Sequence, residues 1–157
     1  MYLATGEAGL ATVPIFSSAP SLTVNVYGSA GTLPADFVFR VLLRGGSTPS
    51  PSDVACELRA TPTQLSIALT GAVTVESTIG PPMDPMSAGG FGVQVRMQPT
   101  LSGNNVMCLL GYDTSTMWVE QHIDFPPGTF GFAVTLGDAY VYMLEIFDRD
   151  NAQPFPF

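Results

Sequence analysis

The sequence predicts an all-β fold: an antiparallel β-sandwich, a jelly roll or other Greek key, of about eight to ten short strands with extended terminal arms. Three observations lead there. Apolar and polar residues alternate with a period of two through much of the chain. Sixteen glycines and 14 prolines punctuate it at short intervals. No stretch of helical length carries a convincing helical repeat of apolar positions.

In chain order, the first candidate strand runs from Ser21 to Tyr27 and alternates as a half-buried strand does. Phe37 to Leu43 is more continuously apolar and ends at Gly45-Gly46, the pattern of a central strand buried on both faces. Further strands are expected at Val54–Arg59, Gln64–Leu69, Ala72–Ser77, Gly92–Met97, Asn105–Leu110, Met117–Phe125, Thr129–Thr135 and Ala139–Phe147. Turn chemistry separates nearly all of them, as in Gly80-Pro81-Pro82, Ser102-Gly103-Asn104-Asn105 and Pro126-Pro127-Gly128. A short helical turn fits after Pro51 or near Leu33-Pro34-Ala35-Asp36. Residues 1–20 read as an N-terminal arm, 21–147 as the sandwich domain and 148–157 as a C-terminal arm. Gly80 to Gly92, rich in Pro, Met and Gly, reads as an exposed loop.

The length of 157 residues suits one domain, which by size buries roughly 70% of its unfolded surface. Apolar residues make up 46% and charged residues 11%, a balance opposite to that of disordered chains. Acidic residues number 13 against five basic ones, all arginine, for a net charge of −8. That charge repels phosphate backbones and anionic lipid, so neither direct nucleic-acid binding nor membrane insertion is expected. The N-terminus lacks the basic start and apolar run of a signal peptide, and no uninterrupted apolar span of ~20 residues is present. A soluble protein is expected. Cys56 and Cys108 could pair across the fold, but both sit in apolar runs and read first as free, buried thiols.

Few residues suggest chemistry. His122, the single histidine, would share a strand face with Glu120 and Asp124, and a carboxylate beside an imidazole is the start of a general base. Alternation makes that face the solvated one, and no Gly-x-Ser-x-Gly elbow accompanies it. Asp148 and Asp150 offer closely spaced oxygens that could join Asp113 or Asp138 around calcium, but the glycine and distant glutamate of an EF-hand loop are missing. One histidine and two distant cysteines do not supply a zinc ligand set. No cofactor is expected. In the tail, Pro154 and Pro156 would hold Phe155 and Phe157 on a stiff extended arm, where they would serve as partner anchors or fold back on their own domain. Met83, Met86, Tyr140 and Tyr142 fit core, loop or contact surface.

Phe37-Val38-Phe39-Arg40-Val41-Leu42-Leu43-Arg44-Gly45-Gly46-Ser47 resembles the Phe-rich strand ending in Arg-Gly-Ser of picornavirus-like capsid subunits. Val134-Thr135-Leu136-Gly137-Asp138-Ala139-Tyr140-Val141-Tyr142 is similar to their late Gly-Asp-aromatic strand. The chain thus resembles a jelly-roll coat or surface (protrusion or decoration) protein of a small icosahedral RNA virus. It departs from that family in its short length and in lacking a basic arm. The resemblance implies a non-enzymatic virion component on the outer surface of the capsid, whose partners are copies of itself or a capsid shell protein. The alternative is a carbohydrate- or ligand-binding β-sandwich module, with Trp118, Tyr112, Tyr140 and Tyr142 as a stacking platform and Asp148 or Asp150 holding calcium. A hydrolase built on His122 is the third expectation.

Overall fold

The computed structural model describes residues 2–3, 8–9, 22–30, 36–43, 54–61, 64–71, 75–79, 90–112, 115–123, 131–137 and 139–147. Twelve strands fall among them, and no helix. They are β1 (Tyr2–Leu3), β2 (Ala8–Gly9), β3 (Leu22–Ala30), β4 (Phe37–Leu42), β5 (Ala55–Thr61) and β6 (Gln64–Thr70). The series continues with β7 (Val75–Ile79), β8 (Phe91–Thr100), β9 (Gly103–Tyr112), β10 (Ser115–Ile123), β11 (Gly131–Leu136) and β12 (Ala139–Phe147). They form two six-stranded antiparallel sheets stacked as a sandwich. Sheet A has the order β1-β12-β3-β8-β9-β10, and sheet B the order β2-β11-β4-β5-β6-β7.

Most of this follows the alternation. In β8, Val93, Val95 and Met97 point into the core, while Gln94, Arg96 and Gln98 between them take the other face. Phe37, Phe39 and Val41 enter the core from β4, and Val38 and Leu42 on its other face are buried too, as a central strand requires. Leu42, Ala55 and Ala133 form a second, small apolar cluster on that outer side of sheet B. Beside it Glu57 pairs with Arg40 at 3.5 Å and with Arg59 at 3.0 Å.

Within the segment expected to be an arm, β1 pairs with β12 and β2 with β11, so this stretch contributes an edge strand to each sheet. Two residues each are too short for a period to register in sequence. Phe91, expected in the loop because of its glycine-rich surroundings, belongs to β8, as does Gly92, which the expected strand and the expected loop shared. The helical turn expected after Pro51 lies outside the described residues, as do Leu33 to Ala35 and the C-terminal arm; Asp36 is described and takes no helical form.

The cysteines require a correction. Cys56 of β5 and Cys108 of β9 are not free thiols but a disulfide between the two sheets, with Cα atoms 5.5 Å apart. Both are buried, as their apolar surroundings predicted, but each projects inward from the sheet opposite the other. That juxtaposition comes from sheet stacking, which local sequence does not encode.

A close approach at Gly28 shapes one end of sheet A. A Cβ there would lie 2.6 Å from the Tyr140 carbonyl oxygen and 2.8 Å from Cζ of Phe91, so no larger residue fits without moving the backbone. Gly28 pairs with Val141, and there the register of β12 shifts by one residue. The bulge sets Tyr142 and Met143 together against the single residue Tyr27.

Candidate functional site

The outer face of sheet A holds the best-developed cluster of polar and exposed aromatic side chains among the described residues. Strand register arranges them in rows that cross the strands. One row runs Glu145–Asn25–Gln94–Leu109–Trp118, from β12 to β10. The next runs Thr23–Arg96–Met107–Glu120, and beyond it lies Gln98–Asn105–His122. On the other side of the Trp118 row come Met143–Tyr27–Gly92–Gly111–Thr116 and then Tyr140–Ser29.

A chain of hydrogen bonds stiffens the middle of this face. Arg96 Nε donates to Gln94 Oε1 at 2.7 Å, Gln94 Nε2 to Asn25 Oδ1 at 2.7 Å, and Asn25 Nδ2 to Glu145 Oε2 at 3.1 Å. A guanidinium only donates and a carboxylate only accepts, so the charged ends fix both amides in one orientation. Gln94 is 0% exposed and Asn25 5%, so these two amides hold the charged ends in place and leave ligand contact to their neighbours.

Burial raises the Tyr27 phenol above its ordinary value of 10.0, assisted by the negative charge of Glu145 and a hydrogen bond to it. Below pH 10 the phenol is protonated in both states and its contribution is intact. Above that, the unfolded chain ionises first, and stability falls until the folded phenol titrates. Thermal melts taken from pH 9 upward should therefore show a decline beyond about pH 10 that is shallower in Tyr27→Phe.

Of the expected site residues, Trp118, Tyr140 and Tyr142 all lie on this face and are exposed, Trp118 by 56% and Tyr142 by 65%. They do not form one platform. Trp118 stands on edge strand β10 and the tyrosines on β12, four strand steps or about 19 Å away. Tyr140 stacks obliquely on Tyr2 at 5.0 Å between ring centroids, and the Tyr142 hydroxyl shares a hydrogen bond with Ser29. Tyr112 closes β9, its side chain outside the described part.

Glu120 and His122 share the solvated face of β10, as the alternation predicted. The imidazole finds its partner across the strand pair instead: His122 Nδ1 lies 3.0 Å from Asn105 Oδ1, and Nε2 lies 3.4 Å from Ser102 Oγ. An amide oxygen can only accept, so this contact places the ring proton on Nδ1. Serine, imidazole and amide are the components of a nucleophile relay, but 3.4 Å is long for proton transfer, and exposure leaves both Ser102 and His122 solvated. Asp124, Asp113, Asp138, Asp148, Asp150, Phe155, Phe157, Met83 and Met86 lie outside the described residues. Among the described residues no group of three or more His, Cys, Asp or Glu side chains is placed to hold a metal.

Sequence reasoning missed Asn25, Gln94, Arg96, Asn105 and Glu145. The alternation of β3 and β8 marks the first three as outward-facing, yet only the register between strands shows that they meet.

No protein-family model matches the chain, and no curated protein matches it in sequence. Solved structures do share its fold. The carbohydrate-binding module CBM66 from Bacillus subtilis is similar over 92% of this chain and 80% of its own, with a TM-score of 0.54 and 10% identity. A single mutant of congerin II is similar over 90% of this chain and 98% of its own, with a TM-score of 0.51 and 12% identity. Alginate lyase A1-II′, of polysaccharide lyase family 7, reaches a TM-score of 0.49 at 13% identity; the match takes in 84% of this chain and 63% of that enzyme. At such identities the likeness is one of fold: this is a jelly-roll-like β-sandwich.

Proposed function

We propose that the protein is a carbohydrate-binding β-sandwich module whose ligand lies on the outer face of sheet A against Trp118. The observation that carries this reading is Trp118 itself. A large apolar ring, 56% exposed, stands on the otherwise polar outer face of β10 between Thr116 and Glu120. Left in water, such a ring is a poor use of apolar surface. Under a sugar, it offers a flat apolar face to the ring carbons while polar neighbours meet the hydroxyls.

Those neighbours are present. Glu120 and His122 follow at two-residue intervals on β10, and Asn105 and Arg96 stand on the next two strands. Leu109 is the cross-strand partner of Trp118 and is buried. Sugars present hydroxyls that both donate and accept, so a mixed set of carboxylate, guanidinium, amide and imidazole suits them. The sharing of this fold with a carbohydrate-binding module supports the reading.

A neutral and acidic glycan array, followed by calorimetry on whatever binds, tests it. Trp118→Ala should weaken binding at least ~30-fold, the cost of a hot-spot aromatic, and leave the melting temperature nearly unchanged because the ring is exposed. An array without binders, or a Trp118→Ala variant that binds as well as the parent, would end this reading.

A further inference from the structure

We infer that the face binds an extended, uncharged glycan lying across the strands, with Trp118 under one end and Tyr142 under the other. This inference rests on the carbohydrate-binding reading and adds the length, direction and charge of the ligand.

Direction comes from the row next to Trp118. There Gly92 and Gly111 are paired neighbours on β8 and β9 and supply no side chain to the face. Residues two apart on a strand are about 7 Å apart, so the missing side chains leave a gap beside Gln94 and Leu109. The row runs from Thr116, next to Trp118 on β10, over the two glycines to Tyr27 and Met143. It is a shallow trough perpendicular to the strands, with a buried glycine floor.

Length comes from what stands at its ends. The β12 bulge turns Tyr142 and Met143 toward the same side, next to Tyr140 and Tyr2, and all four are exposed. Without the extra residue, strict alternation would send one of the pair inward. The Tyr142 ring is steadied through its hydroxyl by Ser29, which orients it without covering it. Trp118 and this aromatic group, about 19 Å apart across the sheet, are too distant for one sugar ring to touch both. An oligosaccharide laid along the trough reaches both.

Charge comes from the face itself. Its described residues carry two carboxylates, Glu120 and Glu145, against one guanidinium, Arg96, on a protein of net charge −8. That balance opposes uronate or sulfated chains and suits neutral ones.

The test uses length ladders of neutral linear glucan, mannan and galactan fragments, from disaccharide upward, with uronate and sulfated ladders alongside. Affinity should climb with length in a neutral series. Tyr142→Ala should lower affinity for the longest fragment about tenfold and leave the disaccharide unchanged. Tyr142→Phe, which keeps the ring, should retain most of it. Trp118→Ala should weaken fragments of every length. If Tyr142→Ala binds the longest fragment like the parent, or affinity does not grow with length, the two-ended trough is wrong while the Trp118 reading stands. Tighter binding of a charged ladder overturns the assignment to neutral glycans. Absence of binding to every ladder removes both readings.

Discussion

Replacing Cys56 and Cys108 together by alanine should lower the unfolding free energy by about 4 kcal/mol. The bridge joins residues 52 apart in sequence, and in the chain-entropy account most of its effect is to restrict the unfolded chain. For a domain of this size the loss corresponds to a fall of roughly 10 °C in Tm. Alanine is the right substitute, because serine would add an unsatisfied hydroxyl to the core. The position matters as well as the loop length. Cys56 sits in the middle of sheet B and Cys108 in sheet A, so the bridge is the covalent tie between two layers otherwise held by apolar packing. Calorimetry in the presence and absence of reductant checks it, and a drop under about 3 °C would mean that packing alone holds the layers.

Phe91→Ala should cost about 4 kcal/mol, and Phe91→Leu about 1. The Phe91 ring reaches from β8 across the sandwich to Phe39, with ring centroids 4.9 Å apart, and to Phe37, at 5.9 Å. Truncation removes both ring contacts and leaves a cavity between sheets, bounded on the near side by the Gly28 backbone. Close packing there leaves little room for collapse. Urea unfolding measures the difference, and a cost under 2 kcal/mol for the alanine variant would show that the surroundings close over the gap.

Much of the fold was legible because alternation is a local signal. Phe37 to Leu42 and Ala139 to Phe147 fall where the pattern put them, and the double-sided burial of β4 follows from its unbroken apolar run. Of the strand expected at Ala72 to Ser77, Val75 to Ser77 belong to β7, which runs on to Ile79; Ala72 to Thr74 lie outside the described residues. The strands that suggested a capsid subunit, Phe37 onward and Val134 onward, are accounted for by packing. Phe37, Phe39, Val41 and Val134 fill the core, and they would do so in any setting the sandwich works in. Of the site, the exposed residues of β10 were legible and their partners were not. His122 takes Asn105 from β9 rather than a neighbour on its own strand, and Trp118 and Tyr142 share a face only because of sheet order and a one-residue bulge. Register and strand order are long-range properties, and the same local pattern is compatible with many of them.

The run from Arg96 through Gln94 and Asn25 to Glu145 also has a sense, like a row of arrows. An amide is nearly symmetric in shape, so each of the two interior links could point either way if its terminals were neutral. The cation at one end and the anion at the other remove that degeneracy without any steric constraint. The face therefore records, in the identity of two terminal residues, which edges of its interior present hydrogens and which present lone pairs.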